Sequence, residues 1–374
     1  MLFICAALSP FTTERQIVEM LNACRQEIID WKRVALFGNR AAVSPALHVT
    51  LGNKGLLEMV PALYREYLSE MYRLNAERNR ALRAQLRNVV TQLNSVGVVP
   101  VLLKGASALA ADLFPDPGMR FLSDFDLLVP EDKLEDSVAA LLADGYRIPD
   151  QFAEIDWSTA HHYAPLTRAG EPAAVELHRR ALGKGVEFFD PERFRSDCQN
   201  VAATHLHNSS ALIMSPTDEL IHCVIHSELS HGNYLNGQIG LRSLLNFTYL
   251  CYRYGNEIQW ERFEKLIADK EVGIVLESFL FRVAKLFYVP VPIQTDSEQH
   301  SARLDYLLYS LSGWGRFCYL VKRNLRDVSI SFSSDSLLIK YHKECSPLML
   351  LRLKNLLELL ARYRNPKVLL RRLC

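Results

Sequence analysis

Apolar positions recur at three- and four-residue spacings from about Thr13 to Val96. They are clearest in QIVEMLNACRQEIIDW and in the long run from Met59 to Gly97, and this is the period of helices with one buried face. Asn53, Lys54 and Gly55 interrupt the stretch, and Gly97 closes its last helix. At Val98 the pattern changes. VVPVLLKG is a short apolar run ending in glycine, too short for a helix and suited to a buried strand. ASALAADLF then predicts a helix, DPGMR a turn and FLSDFDLLV a second strand. PEDKLEDSVAALLADGY predicts a helix with Pro130 in its first turn and Gly145 at its end. HHYAPL and AAVELH are two further candidate strands about a hairpin loop, RAGEP. From Pro216 the helical period returns and holds almost throughout. The expected class is α+β: a small mixed-sheet α/β core over residues 98–215, flanked by helical segments at 1–97 and 216–374.

Composition narrows the class without changing this picture. A chain of 374 residues, 49% hydrophobic and 23% charged, is ordinary globular material with room for two or three domains. Lys plus Arg total 43 against 42 Asp plus Glu, so a formal net charge of +1 gives no general electrostatic case for wrapping nucleic acid. Any basic surface is local, and one is visible: His342 to Cys374 interleaves eight Lys or Arg with leucines. Such a helix docks with its basic side facing water, or makes peripheral contact with an anionic membrane. The eight cysteines lie at least 19 positions apart, which leaves no CxxC clip for zinc and suits a reduced, cytoplasmic compartment. No run approaches the 18 apolar residues of a spanning helix.

Candidate chemistry concentrates in the α/β core. Asp124 and Asp126 are two apart in a strand, so both carboxylates share one face while Phe125 and Leu127 take the other. Two ionised carboxylates side by side repel, and hard oxygen donors of this kind select Mg²⁺ or Mn²⁺. By the same rule Glu176 and His178 share a face, so Glu176 is a candidate third carboxylate from a neighbouring strand. The turn Lys104-Gly105-Ala106-Ser107 offers backbone N–H groups, a close approach at glycine, a hydroxyl and an ammonium to a phosphate. Arg120 adds a planar donor fork. A competing metal reading comes from His222, His226, Glu228 and His231. It departs from HExxH, because residues five apart lie about 140° apart around an α-helix. Lining a cleft, or mutual hydrogen bonding in the helical core, suits these histidines better.

VLLKGASALAADLF, then Arg120 ahead of FLSDFDLLV, then VELH, together resemble the uncharacterised nucleotidyltransferase family of the DNA polymerase β-type superfamily. The resemblance covers about Val98 to Arg180. It implies a polymerase β-like fold and transfer of a nucleoside monophosphate from a Mg-NTP, with AMP from ATP the expected case. The acceptor would be a hydroxyl on a small molecule, peptide or protein. It further implies that Gly105 and Ser107 belong to the phosphate-binding turn with Lys104 and Arg120. Asp124 and Asp126 would bind the metal, Glu176 would be a metal ligand or the base, and His178 would face the acceptor. The rival from another class is a non-catalytic nucleotide- or partner-binding protein that retains this fold.

Overall fold

The computed structural model describes residues 1–155, 157, 160–182, 198–201, 206, 209–268, 272–293 and 297–311. The basic stretch from His342 therefore lies outside the described residues. The chain divides into two compact units, Met1–Ser297 and Glu298–Cys374. Described residues of the second unit belong to helix Ser297–Tyr309 and its end; the remainder of this section concerns the first.

The helical N-terminal region forms as its periodicity predicts. α1 (Leu2–Leu8) is followed by α2 (Glu14–Arg25), which opens on a capping box: the Thr13 side chain accepts from Gln16 N, and the Gln16 side chain accepts from Thr13 N. α3 (Trp31–Arg40) and α4 (Ser44–Asn53) lead to α5 (Ala62–Ser95), 34 residues and about 50 Å long. Leu82, Leu86, Val89, Val90 and Leu93 form the apolar stripe of α5 and are fully buried against the sheet. No helix among the described residues is long and apolar enough to cross a membrane.

The sheet consists of β1 (Val101–Leu103), β2 (Asp124–Leu128), β3 (Ala174–His178), β4 (Gln199–Asn200) and β5 (Leu212–Ile213), in the order β3-β2-β1-β5-β4. β1 pairs antiparallel with β2 and parallel with β5, and β2 runs parallel to β3. One face carries Phe125, Leu127, Val175 and Leu177 into a core shared with α5 and α7 (Leu134–Ala143). The other face therefore presents Asp124, Asp126, Glu176 and His178. Residues 161–167 do pair antiparallel with β3, through Tyr163 N to Leu177 O and Leu166 N to Val175 O, but as isolated bridges. Pro165 has no N–H to continue the ladder.

α5 does more than bury a stripe. Its Asn75 and Asn79 amides both donate to the carbonyl of Arg120, and also reach Gly118 O and Pro117 O. Arg78 donates to Leu122 O and Pro172 O. Three polar residues on one helix face thus pin the loop that enters β2. Asn79 is fully buried. Asn79→Ala leaves the Pro117 carbonyl without this donor and the Arg120 carbonyl with Asn75 alone, and a loss of about 1 kcal/mol in stability is expected by urea denaturation.

Beyond the sheet, α8 (Pro216–Ile225) is capped by Ser215 Oγ, which accepts from Asp218 N at 3.2 Å. A π-helical turn, His226–Ser230, continues it, and α9 (Leu241–Tyr254), α10 (Trp260–Ile267) and α11 (Gly273–Phe287) complete the unit.

Candidate active site

A cavity of about 430 Å³ opens on the polar face of the sheet. Its floor is Asp124, Asp126 and Glu176, and its opposite wall comes from α8, the π turn and α9. The parallel register sets Asp126 directly beside Glu176, and Asp124 one pleat earlier. Asp126, Glu176 and His178 place one donor atom each within 4.8 Å of one another, the one such group among the described residues. Asp124 lines the same cavity outside this close set, and its Oδ1 accepts from the Ser123 hydroxyl at 3.1 Å.

Asp126 is the most constrained of these groups. It is 4% exposed, and its Oδ1 accepts from Lys104 Nζ at 2.6 Å and from His178 Nε2 at 2.9 Å. Burial alone would raise its pKa, but the hydrogen bond from His178 and the charge of Lys104 outweigh it and hold the carboxyl well below the usual carboxylate range. Burial also lowers His178, so the imidazole is neutral and donates from Nε2. Glu176 moves the other way: burial, then the charge of Asp126, raises it. Two neighbouring carboxylates driven apart in this manner are a site short of positive charge, and the oxygen-rich donor set fits Mg²⁺ or Mn²⁺.

Lys104 reaches Asp126 from an unusual backbone. It joins extended Leu103 to α6 (Lys104–Ala110) at φ +52, the left-handed region, which costs a non-glycine residue about 1 kcal/mol or more and recurs at functional sites. The turn distributes its predicted residues unequally. Lys104 and Gly105 line the cavity, but Ser107 is fully buried and its Oγ donates to Glu219 Oε2 at 2.9 Å. Gly105 packs on the loop before β2: a Cβ there would stand 2.9 Å from Leu122 Cγ, so glycine is required by packing. Arg120 lines the cavity, with Nη1 donating to Phe121 O and Nε buried without a partner among the described residues.

The histidines arrive from two directions. His161 and His162 come from the bridge-paired run beside β3, their rings 5.4 and 5.3 Å from that of His178. His222, His226 and His231 come from α8 and its extension, and all three line the cavity. The π turn explains the last of them: His231 N donates to His226 O at 2.9 Å, and the widened turn brings residues five apart back over one another, their rings 4.4 Å apart. Burial lowers His161 and His222 to about 4.

Glu219, at the start of α8, lines the same wall. Burial pushes it up to about 7, opposed by the Ser107 hydroxyl. A carboxyl raised in the folded state costs no stability below its unfolded pKa, loses stability as pH rises from about 4.5 to 7, and carries the full penalty above that. Glu219→Gln keeps an acceptor for Ser107 and removes the titration. The variant is expected to match the parent near pH 4 and to exceed it by on the order of 2–3 kcal/mol at pH 8, read from denaturation midpoints at the two pH values.

The profile of the uncharacterised nucleotidyltransferase family matches residues 27–288. The chain belongs to this family. The family match spans α3 to the end of α11 and so takes in both walls of the cavity, the helical one included. Neither a curated protein nor a solved structure matches the chain.

Proposed function

We propose that the chain transfers a nucleoside monophosphate, AMP in the expected case, from an NTP to a hydroxyl acceptor with release of pyrophosphate. The observation that carries this reading is the register pairing of Asp126 with Glu176 on adjacent parallel strands, their donor atoms converging at the floor of a cavity of nucleotide size. Asp126, Glu176 and Asp124 would hold the divalent ion, with His178 behind Asp126. A divalent ion there supplies neutralisation of the triphosphate and polarisation of its α-phosphorus.

The residues of the chain divide the remaining work. Lys104 and His178 keep Asp126 ionised and fixed in rotamer. Arg120 donates to phosphate oxygens. Glu176 also takes the acceptor's hydroxyl proton. The acceptor oxygen bonds to the α-phosphorus as the bond to the β-phosphate oxygen breaks, and pyrophosphate carries away the electron pair. Catalysis is positioning and charge compensation.

The test follows the label. Full-length chain is incubated with Mg²⁺, a metabolite or peptide extract, and NTP labelled at either the α- or the γ-phosphate. α-label in the product with γ-label in pyrophosphate is the expected result. γ-label in the product overturns nucleotidyl transfer in favour of phosphoryl transfer, and NTP binding without transfer of either label leaves a nucleotide-binding protein.

A further inference from the structure

The helical wall of the cavity carries a charge pattern that the carboxylate floor does not explain. Lys104 is committed to Asp126 at 2.6 Å. Burial holds His161, His222, His226 and His231 below the ordinary histidine range, so these imidazoles bring no full charge at neutral pH. Among the described residues, the permanently charged groups left on the cavity surface are two guanidiniums, Arg120 from the loop before β2 and Arg242 from the first turn of α9.

Neither has a carboxylate partner among the described residues. Arg120 spends Nη1 on a backbone carbonyl and leaves Nε buried and unbonded. Arg242 is exposed to the cavity and has no ion pair among the described residues. The two also oppose each other: burial first, and then the charge of Arg242, pull Arg120 down to about 10. The carboxylates of Asp124 and Asp126 each act on Arg120 less strongly than Arg242 does, and an anion between the two guanidiniums relieves their mutual repulsion. The expected alternative phosphate site is poorly placed to supply donors, since Ser107 is spent on Glu219 and α6 is only seven residues long.

The geometry points to Arg242, together with Arg120, as the clamp that holds the terminal phosphates of the nucleotide and on which pyrophosphate leaves. This rests on the reading of the cavity as an NTP site. It adds a residue from the C-terminal helices, outside the α/β core, to the substrate machinery. Planar guanidinium forks match phosphate oxygens two at a time, and a pair on opposite sides of a cavity fixes the direction in which a triphosphate lies.

Calorimetric titration of the full chain at fixed ionic strength separates the clamp from the nucleotide reading. Inorganic tripolyphosphate in EDTA probes the clamp alone, and Mg-ATP probes the whole site. Tripolyphosphate is expected to bind the parent, to bind Arg242→Gln at least about tenfold more weakly, and to be unaffected by Arg40→Gln, which removes an exposed charge at the end of α3. Asp126→Asn is expected to weaken Mg-ATP and not tripolyphosphate. A parent that does not bind tripolyphosphate, an Arg242→Gln variant that binds like the parent, or an equal loss in Arg40→Gln overturns the clamp. Loss of Mg-ATP binding in Asp126→Asn with Arg242→Gln silent removes the clamp and keeps the nucleotide site. Tripolyphosphate binding that needs Arg242, in a chain that binds no NTP, does the reverse.

Discussion

Asp126→Asn is expected to lower metal-dependent NTP turnover by about 10³-fold or more, the equivalent of about 4 kcal/mol of transition-state stabilisation. The substitution keeps the side-chain volume and removes the charge on which Lys104 and His178 converge. Lys104 is 22% exposed at its side chain and can turn to water, so the chain should remain folded. Stability should shift with a definite pH dependence. A carboxyl held below its ordinary range stabilises the fold at pH values above its unfolded pKa, and that contribution disappears as pH falls. The melting temperature of the parent should therefore exceed that of Asp126→Asn at pH 7, with the gap narrowing below about pH 4. Retained turnover in a folded Asp126→Asn would remove Asp126 from the metal site.

The second large effect concerns stability. Glu228, in the π turn, is fully buried and pairs with Arg282 of α11 at 2.6 Å, and Arg282 is itself 2% exposed. The pair ties to α11 the turn that carries His226 toward the cavity. Arg282→Met leaves an uncompensated buried carboxylate, and a loss of about 3–5 kcal/mol is expected from denaturant midpoints. Adding Glu228→Leu to that variant removes the orphan charge and should restore most of the loss. A single variant as stable as the parent would mean that Glu228 is protonated or wetted in the fold.

The strands of the site were legible because period-two alternation is a local property. FLSDFDLLV places Asp124 and Asp126 opposite Phe125 and Leu127 from the order of residues alone, and the same holds for Glu176 and His178 against Val175 and Leu177. The long helix α5 was legible from the spacing of Leu82, Leu86, Val89 and Leu93. What escaped depends on phase and on distant partners. The left-handed backbone at Lys104 rotates the start of α6, so Ser107 turns to Glu219, 112 residues away in sequence. Nothing in the spacing of Asn75, Arg78 and Asn79 points to their partners, and only the loop before β2 gives them a role. The π turn hides in HSELS, where a regular helix would send His231 to another face. The short strand β5 left little trace, since Leu212 and Ile213 are two residues of an apolar run that could continue either element type.

On the proposed reading, Asp126 and Glu176 form a metal-dependent nucleotide site. Its most direct test is the dissociation constant of each common NTP for the full chain, by calorimetry, with Mg²⁺ and with EDTA, in the parent and in Glu176→Gln. Binding of at least one NTP that requires Mg²⁺ and weakens by about tenfold or more in Glu176→Gln is the expected result. Failure of every NTP to bind the parent with Mg²⁺, or binding equal in EDTA and untouched by Glu176→Gln, would contradict it.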